Sequence, residues 1–227
     1  MTANNLCSGS IPAGMIVTRH QYLDLYPIPA DSEKVIVGTI HPHFTEQFKI
    51  PFFYGSKLSV WQLLDKASGG GIGQPITLNN VQRFLRKHKI AVSDTVRICQ
   101  RKSTSWADND LIPVQLNMEL PDQIRRSNIR EVLFMSGFGK TNAFKLFYVD
   151  ILGRKMTPDI RRSRQVLLDA SVFGRPVKLT ILYSPSGAAN IALAQTELYQ
   201  QNKYKYADSP TPVYDFKVDY YRKMFGL

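Results

Sequence analysis

The chain has 227 residues, of which 44% are hydrophobic and 21% are charged, a balance that is ordinary for a folded protein. Twenty-nine lysines and arginines against 18 acidic residues give a formal net charge of +11. This length fits one substantial α/β domain better than two small ones. The positive charge predicts a polyanionic partner, because neutralised phosphates release counterions. A basic protein without such a partner is the plainer alternative.

The cysteine content and the hydropathy exclude several classes of protein. Cys7 and Cys99 are the only cysteines, and they lie far apart with no metal-binding spacing. We therefore expect neither a disulfide nor a zinc framework, and we predict a cytoplasmic location. No basic region followed by an apolar core begins the chain, so a signal peptide is not expected. No apolar stretch approaches the roughly 20 residues that span a bilayer, so no membrane association is expected.

The hydrophobic periodicity divides the chain into alternating strands and helices. Residues 1–33 are predicted to be an extended entry segment, and residues 34–227 a single domain. The predicted strands cover residues 34–39, 91–99, 131–136, 165–170 and 177–183. The predicted helices cover residues 58–67, 78–88 (with Thr77 as N-cap), 121–127, 140–152, 188–201 and 213–225, and a basic loop covers residues 100–106. Such alternation predicts a mainly parallel sheet with helices on both faces.

Two of the predicted strands end in loops of small and polar residues. The first strand runs into Gly38, Thr39 and a loop containing His41 and Pro42. The last strand runs into a loop that contains Ser184, Pro185, Ser186, Gly187 and Asn190. In open α/β sheets, ligands bind beyond the carboxyl ends of the strands. The pattern therefore predicts one cleft lined by both loops.

Several shorter patterns have other possible interpretations. Residues 137–141 (Gly-Phe-Gly-Lys-Thr) suggest a phosphate loop, but Phe134 stands where its first glycine would be, and nucleotide handling remains a third hypothesis. The Gly-rich residues 69–73 follow a helix and do not fit a dinucleotide-binding turn. The loop at Ser184 lacks the G-x-S-x-G pattern of a nucleophilic serine. His41 and His43 have no further ligands near them in sequence, so no metal is expected.

The order of five segments carries a resemblance to a known family. These segments are Gly38-Thr39-Ile40-His41-Pro42, Phe53-Tyr54-Gly55 ahead of Trp61, Asp94-Thr95-Val96 with Cys99-Gln100-Arg101, Phe134-Met135-Ser136-Gly137, and Pro185-Ser186-Gly187-Ala188-Ala189-Asn190. Together they resemble the uracil-DNA glycosylase superfamily, and most closely its hypoxanthine (deoxyinosine) and mismatch-specific uracil glycosylase branch. The resemblance extends over residues 34–195.

The resemblance implies a fold and an activity. The fold would be a three-layer α/β/α sandwich with a mainly parallel central sheet. The activity would be hydrolysis of the N-glycosidic bond of a deaminated or mismatched base, uracil or hypoxanthine, after the base flips out of DNA. We expect no cofactor, a monomer, and duplex or single-stranded DNA with a damaged base as the partner. An inactive member that binds nucleic acid or a free base is the alternative function.

The resemblance also implies roles for particular residues. The base pocket would contain Gly38, Thr39, Pro42, Phe53 and Tyr54, with an aromatic ring stacked on the base. The loop containing Ser184, Pro185, Ser186, Gly187 and Asn190 would contact DNA, and the helix after it would point its positive end at the backbone. The catalytic residues would be His41 and Ser59, which stand where relatives carry the group that positions water. Plain packing of the aromatic residues, a loop role for His41 and a capping role for Asn190 are the alternatives.

Overall fold

The computed structural model describes residues 15–102 and 110–227. The strands are β1 (Ile16–Arg19), β2 (Lys34–Gly38), β3 (Ile90–Asp94), β4 (Val96–Arg101), β5 (Leu111–Leu116), β6 (Glu131–Phe134), β7 (Gln165–Leu168) and β8 (Val177–Ile181). The helices are α1 (Ser59–Ala67), α2 (Leu78–Lys87), α3 (Leu120–Arg126), α4 (Ala143–Lys145, continued by the π-helical stretch Leu146–Ile151), α5 (Pro158–Ser163), α6 (Ala170–Phe173), α7 (Asn190–Ala194), α8 (Glu197–Asn202) and α9 (Pro212–Phe225).

Within the described residues, the main sheet has five strands in the order β3-β2-β6-β8-β7. β2 pairs in parallel with β3 and with β6, and β6 pairs in parallel with β8. β7 pairs antiparallel with β8. The predicted α/β class and the mainly parallel sheet are therefore confirmed. The carboxyl ends of β3, β2, β6 and β8 all lie at one end of this sheet.

The strands of the main sheet are buried on both faces. Ile36 of β2 and Leu133 of β6 belong to an apolar cluster that also contains residues of α1, α2 and α9. Their neighbours Val35, Val37 and Phe134 belong to a second cluster, with residues of α3, α4, α5 and α6. Since successive side chains of a strand point to opposite faces, the two clusters lie on opposite sides of the sheet. This burial explains why the strands are continuous runs of apolar residues.

The single strand predicted over residues 91–99 is wrong, because the chain leaves the main sheet at Thr95. β3 ends at Asp94, and β4 belongs to a separate antiparallel sheet with the order β1-β4-β5. The N–H groups of Thr95 and Val96 donate to the carbonyls of Gly38 and Thr39, each at 3.0 Å, and these bonds turn the chain. No glycine or proline marks the bend, so periodicity could not find it.

Two further segments bear on the sequence predictions. The predicted entry segment, residues 1–33, contains the strand β1, which pairs with β4. Of the basic loop predicted over residues 100–106, Gln100 and Arg101 belong to β4, and residues 103–106 lie outside the described residues. Cys7 also lies outside them, whereas Cys99 is buried in β4. The entry segment therefore supplies a strand of the smaller sheet.

The long helix predicted over residues 188–201 is also wrong. A 3₁₀ turn over Gly187–Ala189 leads into α7, and a new helix, α8, begins after Thr196. The Thr196 hydroxyl accepts the N–H of Tyr199 at 3.3 Å, as an N-cap does. In contrast, the predicted cap at Thr77 is confirmed, since its hydroxyl accepts the N–H of Asn80 at 3.3 Å. Thr196 therefore starts a helix inside a stretch of good helix formers.

Candidate functional site

Protein side chains close the carboxyl end of β2. A Cβ atom on Gly38 would lie 2.3 Å from Oη of Tyr54 and 2.4 Å from Oδ1 of Asp94. No carbon fits at these distances, so glycine is required for close packing. The space that the glycine leaves open is occupied by Tyr54 and Asp94.

The two aromatic residues predicted for the base pocket differ in exposure. Phe53 is 1% exposed, and its ring packs 5.3 Å from that of His20 and 5.8 Å from that of Tyr22. Its carbonyl accepts the indole N–H of Trp61 at 3.0 Å. Tyr54 is half-buried, with its ring edge-on to Trp61. Phe53 is therefore a core residue, and only Tyr54 of this pair is accessible to a ligand.

His41 is buried as a neutral imidazole. Its Nδ1 donates to the carbonyl of Pro42 at 2.7 Å, and its Nε2 accepts the N–H of Gln21 at 3.0 Å. Burial, helped by the nearby His20, lowers the pKa of His41 to about 4. Both ring nitrogens are engaged with backbone groups, which leaves neither for a catalytic water. The geometry favours the loop-holding role for His41 over the predicted catalytic one.

Asp94 lies beside Gly38 and is hydrogen-bonded to His20, and neither residue was predicted to be catalytic. Nδ1 of His20 accepts the N–H groups of Tyr22 and Leu23, so the proton of the neutral ring is on Nε2. Nε2 then donates to Oδ2 of Asp94 at 2.8 Å. Asp94 is thereby held at the carboxyl end of β3, with Oδ1 facing Gly38. His20 had no signal in the sequence, since it lies in the segment predicted to be extended.

Three other residues predicted for this region, Thr39, Pro42 and Ser59, occupy different positions in the fold. Oγ1 of Thr39 lies 3.4 Å from Oγ of Ser136, which connects the end of β2 to the end of β6. Pro42 is half-buried and accepts the hydrogen bond from His41. Ser59 is the first residue of α1 and is half-buried. Thr39 is thus the residue of this group that reaches the neighbouring strand end.

A cavity of about 470 Å³ lies at the carboxyl ends of β6 and β8, and we call it the strand-end cavity. It is lined by Met135, Ser136, Gly137, Phe138, Asn142, Arg164, Leu182, Tyr183, Ser184, Ala189, Ala192, Leu193 and Thr196. The predicted cleft between the loops after β2 and β8 is therefore replaced by one between the loops after β6 and β8. The reason is the strand order, which places β6 between β2 and β8.

Few of the predicted site residues line the strand-end cavity. Ser184 does, but Pro185, Ser186, Gly187 and Asn190 lie outside its wall. His41, Ser59, Gly38, Thr39, Pro42, Phe53 and Tyr54 also lie outside it. Among the described residues, no carboxylate or histidine lines the cavity, so its wall offers hydroxyl, amide and guanidinium groups. Such a wall is suited to binding rather than to acid–base chemistry.

Arg164 forms one wall of the strand-end cavity and fixes the end of β8. Its Nε donates to the carbonyl of Ile181 at 3.0 Å and its Nη2 to that of Leu182 at 2.8 Å. The guanidinium lies over the ring of Tyr183 at 4.4 Å and over that of Phe138 at 5.4 Å. A guanidinium held against aromatic rings is a common surface for stacking a planar ligand. Arg161 also lies over Phe138, at 5.3 Å, which adds a second positive charge on this side.

The loop after β8 is attached to the C-terminal helix. Nζ of Lys217 in α9 donates to the carbonyl of Ser186 at 3.0 Å and to Oδ1 of Asn190 at 2.5 Å. Ser186 and Gly187 are exposed, while the Ser184 hydroxyl accepts the N–H of Ser186 at 3.3 Å. Sequence reasoning missed Lys217, although its helical spacing with Val218 and Tyr221 marks it as part of the buried face of α9. The Asn190 side chain therefore helps to attach the loop after β8 to α9.

Other expectations can be compared with the described part of the chain. α7 has five residues, which is too short for the predicted helix end directed at a DNA backbone. Within residues 15–102 and 110–227, no cluster of three or more metal-ligating side chains is found. Nor is any helix in these ranges long and apolar enough to cross a membrane.

Comparisons with known proteins give one distant structural similarity. No protein-family model matches the chain, and no curated protein matches it. The chain is similar to the solution NMR structure of a protein from Methanosarcina acetivorans that is provisionally assigned as a uracil DNA glycosylase. The match covers 93% of this chain and 100% of the other, at 13% sequence identity and a TM-score of 0.46. Similarity at this level carries no information about activity.

Proposed function

We propose that this chain binds DNA on a three-layer α/β/α scaffold similar to the uracil-DNA glycosylases, and that the strand-end cavity holds an unstacked base. The observation that carries the proposal is the packing of Arg164 against Tyr183 and Phe138 in the cavity wall. Planar bases stack on aromatic rings and guanidinium groups. The cavity volume of about 470 Å³ lies in the range of small-ligand sites.

Polar groups and charge support the same proposal. Ser136, Ser184 and Asn142 line the cavity, and their hydroxyl and amide groups can pair with the edge of a base. The net charge of +11 favours a polyanion at the surface around it. The exposed loop at Ser186 and Gly187 lies beside the cavity and is available to contact phosphates.

Filling the cavity from an exposed position tests the proposal with little risk to folding. Ala192 is exposed and lines the cavity, whereas its neighbour Ile191 is 79% exposed and does not. Fluorescence anisotropy with labelled oligonucleotides that contain uracil or hypoxanthine should show binding that weakens steeply with salt. Ala192→Trp should weaken binding about tenfold, as expected when one stacked base is lost, and Ile191→Trp should not. Equal affinities of the two variants would contradict a base in this cavity.

A second candidate function is hydrolysis of the N-glycosidic bond of a deaminated base with Asp94 as the carboxylate, and it requires a base bound beside Gly38 and Tyr54 instead of in the strand-end cavity, which Asp94 does not line. In this reaction water attacks the sugar carbon, the bond to the base breaks, and the base leaves with the electron pair. A carboxylate can orient the water and accept its proton. The hydrogen bond from His20 fixes Oδ2 of Asp94, which leaves Oδ1 as the candidate oxygen for this role. Asp94 therefore replaces His41 in the catalytic hypothesis.

A measurement of base release distinguishes hydrolysis of the N-glycosidic bond from DNA binding alone. Duplexes and single strands carrying uracil, hypoxanthine, xanthine or a T:G mismatch are incubated with the protein, and abasic sites are measured. If the chain is a hydrolase, Asp94→Asn should lower the rate at least about 100-fold, the scale of general-base catalysis, while His41→Gln should retain most of it. No release from any substrate, together with salt-sensitive binding, would reject hydrolysis and leave binding as the function.

A further inference from the structure

A second cavity, of about 410 Å³, lies against the outer edge of the main sheet, and we call it the edge cavity. It is lined by Leu25, Tyr26, Pro27, Pro29, Asp31, Ser32, Phe52, Gln82, Leu85, Arg86, Lys89, Ile90, Ala91 and Val92. None of these residues lines the strand-end cavity. The edge cavity is therefore a separate feature of the molecule.

The floor of the edge cavity is the backbone of β3, which ends the strand order of the main sheet. In the parallel register, Lys34 lies opposite Ile90 and Ile36 opposite Val92. The N–H of Lys34 donates to the carbonyl of Lys89 at 3.2 Å, and this bond determines which residues of β3 pair with β2. In a parallel strand, the N–H and C=O groups of every second residue point to the same side and bond to the same neighbouring strand. The N–H and C=O groups of Ile90 and Val92 therefore point away from β2, to the outer edge that the cavity covers.

The chain segment that contains Pro27 and Pro29 covers this edge, and it lacks a backbone N–H donor at these two positions. Pro27 and Pro29 line the cavity, and proline has no backbone N–H. Ser32, which is 2% exposed, also lines it, and no described residue forms a hydrogen bond with its hydroxyl. The Ser32 hydroxyl and the outward N–H and C=O groups of β3 are therefore available to pair with the polar edge of a ligand.

The walls of the edge cavity are apolar and its rim is charged. The rings of Tyr26 and Phe52 meet edge-on at 4.8 Å, and Leu85 of α2 is buried beside them. At the rim, Lys89 is paired with Glu33 at 2.6 Å. Arg86 is exposed, and its guanidinium has no ion-pair or hydrogen-bond partner among the described residues. Apolar walls with a few fixed polar groups are typical of small-molecule sites.

We propose that the edge cavity binds a planar heteroaromatic base whose edge has adjacent hydrogen-bond donor and acceptor groups, with any anionic substituent directed to Arg86. A ring fits between the apolar walls, and its polar edge pairs with the backbone of Ile90 and Val92 and with the hydroxyl of Ser32. This site is independent of the proposed DNA-binding function.

NMR titration of the ¹⁵N-labelled full chain tests this proposal directly. The probes are adenine, hypoxanthine and AMP, and indole serves as a planar control that lacks the acceptor. Adenine and hypoxanthine should cause saturable shifts of the amides of Ile90 and Val92, larger than those of Ala91 and Ser93, whose amides bond to β2. Indole should bind more weakly. Absence of saturable shifts at Ile90 and Val92 with all three probes, or shifts confined to the strand-end cavity, would overturn the proposal.

Two sets of variants test the polar contacts. Ser32→Ala should weaken adenine binding about three- to tenfold, the effect of one hydrogen bond, without moving the thermal midpoint by more than a few degrees. Arg86→Glu should remove the preference for AMP over adenine. Arg83→Glu on the same helix is the matched control, because Arg83 bonds to Asn80 and does not line the cavity. Unchanged affinities in both test variants would reject this ligand class.

Discussion

Lys217 holds Asn190 by a hydrogen bond of 2.5 Å from its ammonium group to the amide oxygen. The same ammonium also donates to the carbonyl of Ser186, so α9 fixes the loop after β8 at two points. Lys217 is 0% exposed, and burial lowers its pKa to about 8. The position of the predicted DNA-contacting loop therefore depends on a lysine near the C-terminus, more than 25 residues away in sequence.

Lys217→Met should loosen the loop while changing global stability little. The variant loses two hydrogen bonds, at about 1 kcal/mol each, but it also removes the unfavourable burial of a charge, which is of similar size. We expect the free energy of unfolding to change by less than about 1 kcal/mol. Hydrogen exchange should accelerate over residues 184–190, and DNA binding should weaken about five- to tenfold. Lys223→Met on an exposed position of α9 is the control, and unchanged exchange in Lys217→Met would contradict the attachment.

Arg164→Lys should damage both the end of β8 and the wall of the strand-end cavity. Lysine cannot donate in a fork to the carbonyls of Ile181 and Leu182, and it stacks poorly on Tyr183. We expect a loss of about 1–3 kcal/mol in the free energy of unfolding measured with urea, and weaker DNA binding. Arg161→Lys changes an exposed neighbour that also lies over Phe138, and it should leave stability nearly unchanged. A loss of similar size in both variants would contradict the role of the fork, because Arg161 shares the contact with Phe138 but not the bonds to these carbonyls.

The main sheet could be predicted from sequence because both of its faces are buried. Continuous apolar runs such as residues 34–38 and 131–134 have a strong signal, and each became a strand at the predicted place. The turn at Thr95 and the cap at Thr196 could not be found in this way. At Thr95 the backbone bonds to Gly38 and Thr39, which are distant in sequence, and at Thr196 a single hydroxyl outweighs the helix propensity around it.

The candidate site was predicted less well than the fold, and strand order is the reason. Sequence can show that the strands before Gly38 and Ser184 end in polar loops, but it cannot show that β6 lies between them. Likewise, His41 looks available in the sequence, while the fold brings the N–H of Gln21 to one ring nitrogen. His20 and Asp94 become a pair only in the fold, where the residue after β1 of the smaller sheet comes close to the end of β3 of the main sheet.

Gly38→Ala should destabilise the protein through a steric clash. The new methyl group would lie 2.3 Å from Oη of Tyr54 and 2.4 Å from Oδ1 of Asp94, distances at which the neighbours must move. Overpacking of this kind is destabilising by about 1–3 kcal/mol, which urea unfolding would measure. Gly187→Ala is the matched control, because a methyl group there meets nothing within 4 Å. Adding Tyr54→Phe to Gly38→Ala should recover part of the loss, and no recovery would assign the clash to Asp94 alone.

His41 should make the stability of the protein depend on pH below neutrality. Its pKa is about 4 in the folded protein, against about 6.5 in an unfolded chain. Between these values the unfolded state binds more protons, so the free energy of unfolding falls as the pH drops from 6.5 to 4, by about 3 kcal/mol in total. Above pH 6.5, His41 is neutral in both the folded and the unfolded state, so it does not make the free energy of unfolding depend on pH.

The matched pair His41→Gln and His43→Gln tests this origin of the slope. Glutamine keeps a donor and an acceptor but does not titrate, so His41→Gln should flatten the dependence measured by urea unfolding between pH 4.5 and 7.5. His43→Gln should keep it, because His43 is half-buried and bonds only to the hydroxyl of Thr18 among the described residues. His88, whose pKa is also lowered by burial, adds a slope of the same sign in both variants. Equal slopes in His41→Gln and the unaltered protein would mean that His41 is protonated without unfolding, and therefore that its ring is open to water.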